Sequence, residues 1–327
     1  VEKGNNRTLA QERIGMTGTN VAVDDVQTPD GGSYPARRGP LIAFSLLAGL
    51  AVAIVWSATL VDDDIGVNTA NGLLGHDSVT TSIAGSAAGI LFAFTAGLAG
   101  TFTACNVAAF SAIAPMMDDA PSVTTRVKLA LRPLAWLAVG LFAVAGAYGA
   151  IGAVLGQNIP QLSAAMLGNH VPERILQSMI VFSMIGLIFC YLGLAAAGAV
   201  PDPLRRMTER FAHTPQLVMG GLIGGFLIGR PYPLFYKMFL YSASTHNPFY
   251  GALSFVLVAL GNILLMAVVF LALSMTKFQS WLRARPGRIA AFTAAALLIG
   301  GAFTFFYWGV RVPAGLGYGW FPTMPWH

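Results

Sequence analysis

Hydrophobic positions dominate this chain in long blocks with short polar interruptions. Runs of that kind appear at about 40–62, 83–117, 129–156, 175–200, 215–243, 250–275 and 288–309. Each is long enough for a helix across a bilayer core, which takes about 20 helical residues. The ends carry helix-breaking residues: Pro115 closes the second run, Pro160 follows the third, Pro201 and Pro203 follow the fourth, and Pro286 and Gly287 precede the last. The pattern predicts an all-α polytopic membrane protein with about seven transmembrane helices.

Two runs depart from a simple crossing. The run at 83–117 is too long for one straight helix. Inside it, Gly97 and Gly100 precede a polar patch of Thr101, Thr103, Cys105 and Asn106. The run at 215–243 holds Arg230 between Gly229 and Pro231, with Pro233 close behind. Prolines remove backbone donors and break helices, and freed backbone groups are tolerated at membrane depth only where protein or a cavity covers them. Both runs are therefore expected to be broken helices. Residues 97–110, GLAGTFTACNVAAF, align with 221–234, GLIGGFLIGRPYPL, matching Gly97 with Gly221, Leu98 with Leu222, Gly100 with Gly224 and Phe102 with Phe226. Each broken run precedes two ordinary ones, and the two groups begin on opposite sides of the membrane. That is the signature of a 3+3 inverted repeat, which places a site where the broken helices meet. The expected organisation is a polar cytoplasmic tail at 1–39, a first helix at 40–62, three-helix units at 83–200 and 215–309, and an outer tail at 310–327.

Charge fixes the expected orientation. The chain has 327 residues, is 55% hydrophobic and only 10% charged, and carries a net charge of +5. That charge gathers in three loops, at Arg126, Lys128 and Arg132, at Arg205, Arg206 and Arg210, and at Lys277, Arg283, Arg285 and Arg288. By the positive-inside rule these face the cytoplasm, with the N-terminus inside and the C-terminus outside. The expected partners are the lipid bilayer and other membrane or extracytoplasmic proteins, not nucleic acid. Nucleotide-binding loops, hydrolase elbows and HExxH are absent from the sequence. The five histidines show no ligand spacing, so no metal site is expected and the cofactor stays unassigned.

The candidate chemistry falls into two sets. The first is the cysteine pair Cys105 and Cys190, with Thr101, Thr103 and Asn106 around Cys105. A buried apolar cysteine is inert, so exchange needs accessible thiolate and Cα atoms within about 7 Å; otherwise both cysteines pack as small hydrophobes. The second set is Arg230 and Lys237, read as the charges inside spans with no carboxylate beside them, together with Tyr232 and Tyr236. Seven residues apart on a continuous helix, the two cations share nearly one face. They suit an anionic group or a quinone carbonyl, a haem propionate or a lipid phosphate. The plainer alternative is that Lys237 snorkels outward and Arg230 bonds to carbonyls across the break.

A glycine-bearing first core helix with one cysteine in small polar surroundings and Pro115 about ten residues on resembles the DsbD/CcdA family of transmembrane thiol-electron carriers. Ala96-Gly97 through Cys105 to Pro115 follows that family's motif, with Ala104 in place of the usual proline. The resemblance covers roughly 83–310. It implies two inverted three-helix units, thiol–disulfide exchange and a role in cytochrome c maturation. It carries over only Cys105, because Gly229 stands at the repeat position of the second cysteine. Either Cys190 takes that place, or the scaffold serves as a non-redox accessory subunit of a membrane complex or a transporter binding an anionic group at Arg230–Lys237.

Overall fold

The computed structural model describes residues 34–35, 37–101, 123–163, 165–167, 171–274, 285 and 287–324. These residues form an all-α polytopic membrane protein. Five helical segments are long and apolar enough to cross a bilayer: Arg38–Val55, Leu131–Leu155, Glu173–Ala196, Pro248–Leu265 and Arg288–Gly315. We number the helices that build the bundle α1 (Arg38–Val55), α2 (Asn68–Leu74), α3 (Gly85–Ala99), α4 (Val123–Leu155), α5 (Glu173–Ala196), α6 (Thr214–Gly225), α7 (Pro233–Ser244), α8 (Pro248–Ser274) and α9 (Arg288–Phe306).

The run at 215–243 is broken, as its prolines predict. It folds as α6 and α7, 12 residues each. At 1.5 Å per residue each spans only about 18 Å, short of the roughly 30 Å hydrocarbon core. Helix α3, with 15 residues, reaches about 22 Å before Gly100 ends it. Three helix ends are therefore left with backbone groups to satisfy, and those ends build the site described below.

Packing follows small residues. Helix α3 lies against α8, α4 against α6, α4 against α8, and α5 against α9. Exchanging the two groups α3–α4–α5 and α6/α7–α8–α9 leaves this pairing unchanged, as an inverted repeat requires. Glycine makes the approaches possible. A Cβ on Gly97 would collide with the Val258 carbonyl, and one on Gly220 with the Leu137 carbonyl. Close backbone contact through small residues is how helices associate in lipid, where no hydrophobic drive separates helix from helix. Helix α1 lies outside this exchange and packs on α9, Gly49 against Ala302.

The N-terminal region differs from expectation. Asp62, Asp63 and Asp64 close the first apolar run, a position that suits the exit from a crossing into a polar loop. Instead α1 stops at Val55, and a wider π-helical turn at Thr59–Val67 carries the three aspartates into α2. The wider turn brings this acidic segment back over the bundle. Between α4 and α5, Met166–Leu167 pairs antiparallel with Val171–Pro172, two residues on each side. The expected outer tail begins within a second π-helical turn, Tyr307–Arg311, which leads into a short helix at Val312–Gly315. Arg311 donates to the carbonyls of Ala53 and Trp56, both at 2.7 Å, and so closes the end of α1.

Candidate functional site

The site forms where α3 ends and α6 gives way to α7. Helix α6 winds down through three tight turns: the N–H of Phe226, Leu227 and Ile228 donate to the carbonyls of Ile223, Gly224 and Gly225 at 3.0–3.1 Å. Gly229 then takes φ +80°, a left-handed conformation that glycine adopts without the clash a Cβ brings. Pro231 and Pro233 supply no N–H, and α7 starts at Pro233, where that missing donor would be unpaired in any case.

Three carbonyls of the break are answered by named donors. Ser178 on α5 donates its hydroxyl to Gly229 O, Gln161 Nε2 donates to Arg230 O at 3.2 Å, and the Tyr236 N–H donates to Tyr232 O at 3.0 Å. Irregular backbone at membrane depth survives because protein groups satisfy it.

Arg230 joins the two broken segments. Its side chain is 11% exposed. Nη1 donates to Gly100 O at 3.1 Å, so the guanidinium sits on the carbonyl end of α3, the negative end of the helix dipole. Nη2 meets Asp62 Oδ1 at 3.3 Å. The guanidinium also lies over the rings of Tyr232 and Phe235, at 5.2 and 5.0 Å. The sequence reading put no carboxylate beside the intramembrane cations, and Asp62 corrects it. Its position in an acidic triplet reads as a loop, and only the π-helical turn brings it to Arg230.

Lys237 goes elsewhere. It lies in α7, whereas Arg230 precedes that helix, so the shared face expected for a continuous helix does not form. Lys237 Nζ donates to the carbonyls of Ser78 at 2.7 Å, Val79 at 3.1 Å and Thr81, and lies 5.1 Å from the Phe92 ring. It clamps the turn between α2 and α3. Asp77 shapes that turn by accepting from the N–H of Val79 and Thr80 at 2.8 and 3.1 Å, and these bonds hold its carboxyl below the usual carboxylate range.

Tyr232 is fully buried, edge-on to Phe235 at 5.0 Å, with its hydroxyl facing Gly66 and no hydrogen-bond partner among the described residues. Tyr236 lies under the Arg174 guanidinium at 5.5 Å. Thr101 is buried, and its hydroxyl lies 3.2 Å from both Gly97 O and Asn262 O of α8, which share its one hydrogen. Thr103, Cys105 and Asn106 lie outside the described residues. Cys190 lies on α5 against α9, where a Cβ on Gly301 would come within 2.8 Å of its sulfur. Ser178, which touches the break, is twelve residues earlier on α5, so Cys190 stands about 18 Å along the axis from it.

Beside the Arg230–Asp62 pair is a cavity of about 100 Å³. Trp56, Phe182, Phe226, Phe303 and Trp308 wall it, with Tyr307, Thr304 and Ala58 also reaching in. Sequence reading missed this chamber because its walls come from the ends of α1, α6 and α9 and from the body of α5, with no local motif.

No curated protein and no solved structure gives a significant match to the chain. A family model described as cytochrome C biogenesis protein transmembrane region matches residues 92–303. That span holds both broken segments and all but the first turns of α3, so the chain belongs to this DsbD/CcdA-like family of membrane proteins in cytochrome c biogenesis.

Proposed function

We propose that this protein passes thiol electrons across the membrane in support of cytochrome c maturation, with Cys105 as the exchanging thiol and Cys190 its candidate partner. The supporting observation is where the chain leads into Cys105. Thr101, four residues before it, is fastened to α8, directly after the Gly100 carbonyl on which Arg230 closes. The segment bearing the cysteine thus issues from the meeting point of the two broken runs, where a shared site belongs in an inverted repeat. We read 83–200 and 215–309 as those two units, in a bacterial inner membrane with the N-terminus cytoplasmic and the C-terminus outside. The exchange-invariant pairing of helices and the basic loops support that reading.

In the exchange step the Cys105 thiolate attacks a disulfide sulfur of a partner protein. A mixed disulfide forms, and the partner's other sulfur leaves as thiolate. A second thiol, from Cys190 or another protein, then attacks and releases the partner in reduced form, leaving Cys105 disulfide-bonded until a donor dithiol reduces it. A disulfide between Cys105 and Cys190 needs their Cα atoms within about 7 Å.

The direct test is alkylation trapping in membranes poised oxidising or reducing. Cys105 labelling should change with poise, and Cys105→Ser should abolish cytochrome c maturation in a complemented strain. Full maturation with Cys105→Ser would overturn the thiol reading.

The anion-binding alternative finds no support in the geometry. Asp62 already balances Arg230, and Lys237 spends its donors on the 78–81 turn.

A further inference from the structure

We propose that the aromatic chamber beside Arg230 is a binding site for the head-group of a single-ring quinone. The proposal stands apart from the Cys105 chemistry and rests on four features of the chamber.

The first is size. An apolar cavity of roughly 150 Å³ admits benzene. At about 100 Å³ this chamber is smaller than that, but it is not closed, so it can seat the leading edge of one six-membered ring, with the rest of the ring and its substituents projecting outward. A haem is far too large.

The second is the walls. Phe182 packs edge-on against Trp308 at 4.8 Å and tilted against Phe226 at 5.4 Å, while Trp56 packs on Phe303 at 5.0 Å. These contacts hold the rings in place and present flat π surfaces and edges to the space between them. A planar guest gains from such surfaces in offset or edge-to-face contact.

The third is the polar end. A guanidinium has five N–H donors. Arg230 makes two hydrogen bonds among the described residues, to Gly100 O and Asp62 Oδ1, and both it and Asp62 line the chamber. Among the described residues, donors therefore remain for an acceptor oxygen on the guest.

The fourth is charge. Asp62 neutralises Arg230 at 3.3 Å, so the chamber presents donors without a net positive charge. A free anion entering would face the carboxylate as well as the guanidinium. A neutral carbonyl oxygen accepts from the guanidinium without that repulsion. Donors in the absence of net charge, set between aromatic walls, select a ring carrying a carbonyl over phosphate or a carboxylate.

The test uses the full chain in lipid nanodiscs titrated with decylubiquinone, read by tryptophan emission, since Trp56 and Trp308 line the chamber. The wild-type signal should quench saturably. Ala58→Phe, which fills the chamber, should weaken the saturable component by about tenfold or more, equivalent to 1.4 kcal/mol. If Ala58→Phe does not assemble, Thr304→Leu takes its place, because Thr304 also lines the space and bonds only along its own helix among the described residues. Excess inorganic phosphate should leave the quench unchanged. Quenching that rises linearly with quinone and is the same in the filled variant would overturn the site. So would displacement by phosphate, which would make the chamber an anion site instead.

Discussion

Two cations stand seven residues apart around the second helix break, and the structure treats them in opposite ways. Arg230 is drawn inward. It lies in the non-helical stretch, takes up the end carbonyl of α3, and is balanced by Asp62 from a segment outside the three-helix units. Lys237 lies on α7 and is drawn outward, where three carbonyls of one turn receive its ammonium. The chemistry of the two side chains explains the split. A planar guanidinium with fixed donors can bridge a helix end and a carboxylate at once, while a compact ammonium on a flexible stem suits a cluster of carbonyls near water. A cation beside the break is accordingly a joint between distant segments in one place and a clamp on a neighbouring loop in the other.

The contrast breaks most sharply at Arg230. Arg230→Ala leaves Asp62 and the α3 carbonyl end without this partner; because Asp62 is 30% exposed, the cost falls below that of a fully buried pair, at about 2–3 kcal/mol. A large drop in the thermal midpoint of the detergent-solubilised protein is expected; an unchanged midpoint would show that the two broken segments do not depend on this joint. Gly229→Ala comes next. A Cβ there would be forced into left-handed backbone, at about 1–2 kcal/mol, and would lie 3.2 Å from the Ser178 N–H nitrogen. The midpoint should fall by less than in Arg230→Ala, and a neutral result would mean that the turn relaxes freely.

Lys237→Met should cost about 1 kcal/mol, because a partly exposed charge is screened. Its effect should be local, read as faster protease cleavage in the 77–84 turn with the midpoint nearly kept. Global unfolding would erase the distinction between joint and clamp. Smallest is the effect of acid on the same turn. The Asp77 carboxyl is held below its ordinary value by the Val79 and Thr80 N–H groups, so its contribution is present above about pH 4 and is lost as pH falls below that. Cleavage of the turn should be flat from neutral pH down to that point and rise beneath it, and an Asp77→Asn variant should lack the rise.

The parts of this fold legible in sequence were those encoded locally. Gly229-Arg230-Pro231 announces a break, because proline and glycine act on their own backbone, and the break lies where those residues put it. The apolar runs gave the crossings for the same reason. Asp62 was illegible, because a triplet of aspartates after an apolar run looks like an exit from the membrane. Its return to Arg230 depends on a widened helical turn that no residue spacing encodes. The aromatic chamber was hidden likewise, since Trp56, Phe182, Phe226 and Phe303 are scattered along the chain and meet only through tertiary packing. Ser178 and Gln161, which satisfy the break, are ordinary polar residues until the carbonyls they serve are in view.

The pairing of α1 with α9 bears on how the chain assembles during synthesis. Helix α1 docks on α9, so it must wait in lipid through the insertion of the helices between them. Its composition suits the wait: mean hydropathy is 1.9, only 17% of its residues are buried, and Phe44 and Leu47 are 73% and 60% exposed. A segment that apolar is stable in the bilayer by itself. When α9 arrives, Gly49 admits Ala302, and Arg311 seals the waiting helix from its far end. The helix is thus fastened by a residue that the ribosome delivers 258 positions after the Ala53 carbonyl it seals.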